Sequence, residues 1–163
     1  SESDFHARFD ARSREYHYFI HFRKDPFCEK YSYRMRHPLD IGKMNEAAAY
    51  LLGEHDFRCF EKTGGNNLTS VCTVTEAVWS TYRPTHIEMM GMDCGEGDYI
   101  VFRIKANRFL RNMVRAIVGS LIEVGRGKRS PEWIAELVAE GTRSDAGSSV
   151  PGNALFFSGA AYK

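Results

Sequence analysis

The 163-residue chain is poor in the features that announce a membrane, a metal or a disulfide framework. No apolar run approaches the roughly 20 residues needed to span a bilayer, and no charged-then-apolar leader precedes the first motif, so no membrane partner is expected. Cysteine is sparse. Cys28, Cys59, Cys72 and Cys94 form no Cys-x-x-Cys pair, and none has a histidine at metal-ligand spacing. They read as reduced thiols of a cytoplasmic protein, used for packing rather than chemistry. His55-Asp56 and the other scattered histidines make no ligand set, which leaves a metal-dependent hydrolase with little support. Glycine-rich phosphate loops, internal repeats, low-complexity tracts and Ser/Pro linkers are also missing, so residues 1–163 are expected to form one domain. The opening Ser1-Glu-Ser-Asp4 has no initiator methionine, which reads as a processed protein or an excised piece.

Charge is scarce on average, with a formal net of +1, but it is unevenly spread. Between Arg103 and Arg129, the cations Arg103, Lys105, Arg108, Arg111, Arg115, Arg126, Lys128 and Arg129 face a single acid, Glu123. A local basic patch on a nearly neutral protein is an electrostatic footprint for a polyanion. Its centre is Arg108-Phe-Leu-Arg-Asn-Met-Val-Arg115-Ala-Ile-Val-Gly119, which reads as a helix. At 100° per residue, Phe109, Leu110, Met113, Val114, Ile117, Val118 and Leu121 fall on one broad apolar arc. Arg108, Arg111 and Arg115 share the other side with Asn112 and with Gly119, where something could approach the backbone closely. Guanidiniums suit forked recognition of phosphate or carboxylate. Taken alone, the same helix reads equally well as a solvated basic face.

The rest of the chain alternates between strand and helix signals. Glu15–Phe22 has period two, with Tyr16, Tyr18, Ile20 and Phe22 on one face and His17, Phe19 and His21 on the other, which predicts an aromatic strand. Asp40 leads into a predicted helix over 41–52, with Met44, Ala47, Ala48, Leu51 and Leu52 at helical spacing and Gly53 as its stop. A loop is predicted over 63–67, strands over 70–82 and 98–105, and a turn over 91–97. Ser130-Pro131-Glu-Trp133 reads as a helix start with Ser130 as N-cap, and 155–162 closes as a strand. The order strand, helix, two strands, two helices, strand implies an α+β domain. Its helices should pack on one face of a mixed, largely antiparallel sheet.

Four segments in register carry a family resemblance: Asp4-Phe-His-Ala-Arg-Phe9 through Arg14-Glu-Tyr16-His-Tyr18; Leu52-Gly-Glu-His-Asp-Phe57-Arg-Cys-Phe60; Lys105-Ala-Asn-Arg108 through Gly119; and Arg143-Ser-Asp-Ala-Gly147 with Pro151-Gly-Asn-Ala-Leu155. Together they resemble the C-terminal half of the tRNA pseudouridine synthase A family, over essentially the whole chain. The resemblance implies an enzyme that isomerises uridine in the anticodon stem-loop of tRNA, without metal or organic cofactor, as a homodimer. It implies that Tyr16 stacks on the target uracil and could carry a proton. Without it, Tyr16 reads as one more strand aromatic. It implies that Arg115 pairs with the catalytic aspartate, that Leu155 packs against the site, and that Arg108 and Arg111 contact the tRNA backbone.

The family's nucleophilic aspartate lies in a Gly-Arg-Thr-Asp-Ala-Gly motif upstream of Phe-His-Ala-Arg-Phe, and no such motif occurs in these residues. Thr142-Arg-Ser-Asp145-Ala-Gly147 spells nearly the same string, but it falls in the family's closing segment, so Asp145 is expected to be a loop residue. Where many members carry a Thr-Val-Arg-like run, this chain has Ser70-Val-Cys72-Thr, and a basic contact there would have to come from Lys62 or Arg58. The resemblance thus points to a synthase fragment that is inactive alone. The alternative from the same residues is a stand-alone, non-catalytic RNA-binding or dimerisation domain.

Overall fold

A computed structural model describes residues 13–62 and 69–161. The loop predicted over 63–67 and the first half of the Asp4–Tyr18 segment lie outside the described residues. Six strands form one sheet: β1 (Ser13–His21), β2 (Tyr33–Arg34), β3 (Gly53–Asp56), β4 (Val71–Thr81), β5 (Tyr99–Ala106) and β6 (Leu155–Ala161). The order is β2-β1-β5-β4-β3, and β6 also pairs with β1. β6 takes the Ser13–Tyr18 stretch of β1, while β2 takes Ile20 and His21 at its other end. Only the β1–β2 pair is parallel, so the expected mixed, largely antiparallel sheet is what forms.

Period two decides which residues enter the core. Tyr18 and Ile20 on β1, Ile100, Phe102 and Ile104 on β5, and Trp79 on β4 are buried on one face. Against them pack α1 (Ile41–Ala49), through Met44, Ala47 and Ala48, α3 (Met113–Gly125) and α4 (Glu132–Glu140), through Ile134 and Leu137. Gly125 lets α1 and α3 meet closely, because a Cβ there would lie 2.6 Å from the Met44 sulfur. The Gly125 carbonyl accepts from the Asp40 N–H at 2.9 Å, beside the point where the Asp40 carboxylate caps α1 at the Lys43 N–H. A short helix α2 (Thr85–Met90) stands apart: its Ile87 packs with Cys28 and Tyr99 in a second, small cluster.

Several boundaries depart from the sequence expectations. α1 ends at Ala49 rather than Leu52, and Gly53, at φ 101°, opens β3 instead of capping the helix. The short elements β2, β3 and α2 carried too few residues to show a period. Ser130 precedes α4 but makes no side-chain cap; its carbonyl accepts the Trp133 N–H at 3.1 Å, a tight turn that leads into the helix. His21, on the face of β1 opposite Tyr18 and Ile20, is fully buried: Ser32 bonds its Nδ1 at 2.8 Å and Tyr99 stacks over it. The basic helix is the main correction. Arg108 and Arg111 are not helical: Asn112 takes a left-handed conformation at φ 66°, and α3 begins only at Met113. Asn tolerates that region, and it breaks the helical register just where the chain leaves β5.

Asp25, 4% exposed, is the acid at the centre of the second cluster. Burial would raise its pKa, but Tyr99 Oη (2.6 Å), His86 Nε2 (2.6 Å) and the Phe27 N–H (3.0 Å) bond its carboxylate and hold it at about 2. Burial raises the thiols of Cys28 and Cys59 to about 12 and that of Cys72 to about 11, while Cys94 is only half-buried.

Two outcomes are expected. Because the Asp25 pKa is lower folded than unfolded, its contribution is complete above about pH 4 and is lost as pH falls toward 2, on the order of 2 kcal/mol. Urea unfolding across that window should show the acid limb flattened in Asp25→Asn, and an unchanged limb would contradict the cluster. Thiol labelling of the native protein should modify Cys94 first, with the other three reacting only on unfolding.

Candidate active site

The C-terminal segment from Gly147 to Leu155 crosses α3 and returns to β1 as a strap, and it organises the candidate site. It is held to the helix and to the residue before it by hydrogen bonds. The Gly147 N–H donates to Ser120 Oγ at 2.9 Å, and Ser149 Oγ accepts from Asn112 Nδ2 at 2.5 Å and from Arg143 Nη2 at 2.8 Å. Val150 and Arg115 are joined twice: Arg115 Nε donates to the Val150 carbonyl at 2.8 Å, and the Val150 N–H donates to the Arg115 carbonyl at 3.2 Å. The Pro151 carbonyl then accepts from Tyr18 Oη at 2.7 Å. Gly119 is what allows the strap to lie so low, since any Cβ there would overlap the Ser148 carbonyl oxygen. The close approach that the sequence suggested at Gly119 is therefore made by the chain's own backbone.

Arg115 is half-buried, and its guanidinium lies under Gly152, where a Cβ would sit 3.6 Å from Cζ. Nε is committed to the strap, but among the described residues the guanidinium has no carboxylate partner. A cation oriented through one nitrogen and open at the other two presents its fork to a carboxylate or phosphate. Tyr16, two residues before Tyr18 and on the same face of β1, is also half-buried. Its ring is held edge-on by Phe109 (centroids 5.0 Å apart) and Phe157 (5.4 Å). Leu155 pairs with Tyr18 in the β1–β6 register and packs on the main core. Arg115 thus bonds the strap directly, while Tyr16 lies two residues along β1 from Tyr18, whose phenol bonds the strap at Pro151. Burial, then the neighbouring Tyr33, push the Tyr18 phenol well above its ordinary range, while Arg115 pulls the other way, so Tyr18 is a neutral donor to Pro151.

The other candidates fall outside this group. Arg108 donates from Nη1 to the Thr69 carbonyl at 3.1 Å, and Arg111 is exposed, its carbonyl accepting the Lys62 N–H at 3.0 Å. Arg58 is bound to Asp56 at 2.7 Å. Asp145 is an exposed loop residue whose carboxylate caps Thr142, at 2.8 Å from its N–H and 2.9 Å from Oγ1. That capping lowers its pKa and holds the carboxylate on its own loop.

The family model described as tRNA pseudouridine synthase matches residues 47–163, which include Arg115, the strap and Leu155. The chain belongs to the tRNA pseudouridine synthase family. It is 46% identical over 154 residues to the tRNA pseudouridine synthase A of Bacteroides fragilis, covering 94% of this chain and 56% of that protein. Against the Bacteroides thetaiotaomicron relative it is 46% identical, with shares of 94% and 53%. Against that of Porphyromonas gingivalis it is 43% identical over 161 residues, with shares of 99% and 59%. The chain spans about half the length of the curated relatives it matches.

Sequence reasoning missed Tyr18, Asn112 and the strap residues Ser149, Val150 and Pro151. Tyr18 could be read only as a core aromatic, and the strap works through backbone carbonyls, which no side-chain pattern reveals. The strap's dependence on Gly119 can be tested directly. Gly119→Ala should force Ser148 aside and cost about 1–3 kcal/mol as overpacking. A thermal or urea unfolding midpoint equal to that of the parent would show that the strap does not lie against α3.

Proposed function

We propose that these residues supply the aromatic and arginine side of a tRNA pseudouridine synthase active site. The carrying observation is the half-buried Arg115, aimed by the strap and without a carboxylate partner among the described residues. The reaction breaks the N1–C1′ bond of a target uridine, turns the uracil, and joins C5 to C1′. It needs a nucleophilic carboxylate, which the family carries in its Gly-Arg-Thr-Asp-Ala-Gly motif and which is absent from these 163 residues. In the full-length protein, Arg115 keeps that aspartate ionised and aligned, because an opposite charge within a few ångströms favours the charged carboxylate. Tyr16 stacks on the flipped-out uracil, its ring fixed edge-on by Phe109 and Phe157, and its phenol takes part in proton transfer. Leu155 closes the apolar side.

The substrate is the anticodon stem-loop of tRNA, with Arg108 and Arg111 as backbone contacts, and the compartment is the cytoplasm. The region 1–163 is one domain, the C-terminal half of the enzyme. The full-length protein is a homodimer. The open sheet face, with Phe27 and Tyr31 each 57% exposed and Phe156 beside them, supplies apolar area for a second copy.

Arg115→Ala in the full-length protein would leave the aspartate uncompensated, a loss on the order of 3–5 kcal/mol if the pair is buried, with partial recovery in Arg115→Lys. Tyr16→Phe should lower turnover while leaving tRNA affinity intact, and Tyr16→Ala should lower both, since stacking is worth roughly 1–3 kcal/mol per base. Primer extension after carbodiimide treatment of tRNA reads pseudouridine formation. Near-normal turnover by Arg115→Ala would refute the ion-pair role, and robust turnover by residues 1–163 alone would return Asp145 as nucleophile.

A further inference from the structure

The basic stretch between Arg103 and Arg129 divides in three dimensions. Arg103 faces Glu76 at 3.6 Å, and Arg129 lies 4.9 Å over the Trp133 ring. Arg126 and Lys128 have no such partner among the described residues. They line a cleft of about 800 Å³ together with Arg34, Arg36 and the strap residues Gly147 to Pro151. Among the described residues of the lining, Glu123 is the only carboxylate. None of the four cations reaches Glu123 or any other acid among the described residues. Elsewhere, exposed arginines do find acids: Arg58 meets Asp56 at 2.7 Å and Arg83 meets Glu88 at 2.8 Å. Four cations about one carboxylate repel one another, an arrangement that destabilises the free protein unless an anion enters. Arg34 Nε is, in addition, buried without a hydrogen-bond partner among the described residues.

The cleft adjoins the candidate active site. Val150 and Pro151 line it, and the same Val150 carbonyl holds Arg115 Nε. Arg115, Gly119, Ile122 and Arg126 succeed one another on one face of α3, so Arg126 lies about 16 Å along the axis from Arg115. A chain of negative charges anchored at Arg115 and running along α3 would meet Arg126 and Lys128 together with Arg34 and Arg36.

We propose that this cleft binds the phosphodiester backbone of the RNA strand that leads away from the reacting uridine, with Arg34, Arg36, Arg126 and Lys128 as its contacts. The proposal rests on the synthase reading above and extends its RNA contacts along α3. Phosphate contacts of this kind set register and orientation and carry no base sequence. They are also what makes binding fall with salt, because each phosphate neutralised releases counterions.

The test uses the full-length protein and an unmodified tRNA transcript, with binding measured by filter retention across a salt series. Arg126→Gln with Lys128→Gln, and separately Arg36→Gln with Arg34→Gln, should each weaken binding alike for unrelated tRNA sequences. The slope of log affinity against log salt should shrink by about 1 per contact removed. Arg126→Lys should keep the slope, which separates charge from folding, and Arg126, Lys128 and Arg36 are exposed enough to change without unfolding the domain. An unchanged slope in both double variants would overturn the proposal. Pseudouridine formation by the unaltered protein is scored separately, so failure of the synthase reading and failure of the cleft remain distinguishable.

Discussion

The contact on which the rest of the site depends is the seating of the Gly147–Leu155 strap on α3 at Gly119. A helix presents its backbone to a crossing segment only where a side chain is missing, and Gly119 supplies that gap beneath the Ser148 carbonyl. Once the strap is seated, Ser120, Asn112, Arg115 and Tyr18 each bond it in turn. The two-way bond between Arg115 and Val150 fixes one nitrogen of the guanidinium and leaves the others free. Two secondary elements separated in sequence, β1 and α3, are thereby joined by hydrogen bonds to a third that has almost no regular structure.

Electrostatics separates structural cations from the others. Arg58, Arg83 and Arg103 sit beside acids, and Arg129 sits over an aromatic ring. Such pairs are worth little at a surface, but they hold charges where repulsion is low. Arg115 and the four cations of the cleft lack that compensation among the described residues. Proteins depart from local balance of this kind where function asks for it. The second cluster shows the opposite solution: buried Asp25 is satisfied by Tyr99, His86 and the Phe27 N–H together, so its charge is kept without an open partner.

Legibility followed the length of the pattern. β1, β4, β5 and the core of α1 carry enough alternating or helical positions for a period to show, and each forms within a few residues of its expected place. β2, with two residues, β3, with four, and α2, with six, are shorter than any period can resolve, and neighbours decide them. The start of α3 went wrong for a different reason. Phe109 and Leu110 continue the apolar arc by spacing alone, yet Phe109 packs on Tyr16 from a loop, because Asn112 turns the chain before the helix begins.

By itself the sequence determined the alternation that buries Tyr18, Ile20, Phe102 and Ile104, the apolar side of α3, the mixed α+β order and the motifs by which the family is recognised. It also put Asp145 in a loop and Arg115 on a helix. What the tertiary structure alone decided is where guanidiniums point and what they lack. Arg108 is drawn to the Thr69 carbonyl, Arg115 is drawn to Val150, and Arg126 joins Arg34 across a cleft though ninety-odd residues apart in the chain. The physical reason is that hydrophobic periodicity is a local property, set by 3.6 or 2 residues per turn or pleat. The pairing of charges and backbone carbonyls depends instead on which distant segments the core brings within about 3 Å of each other.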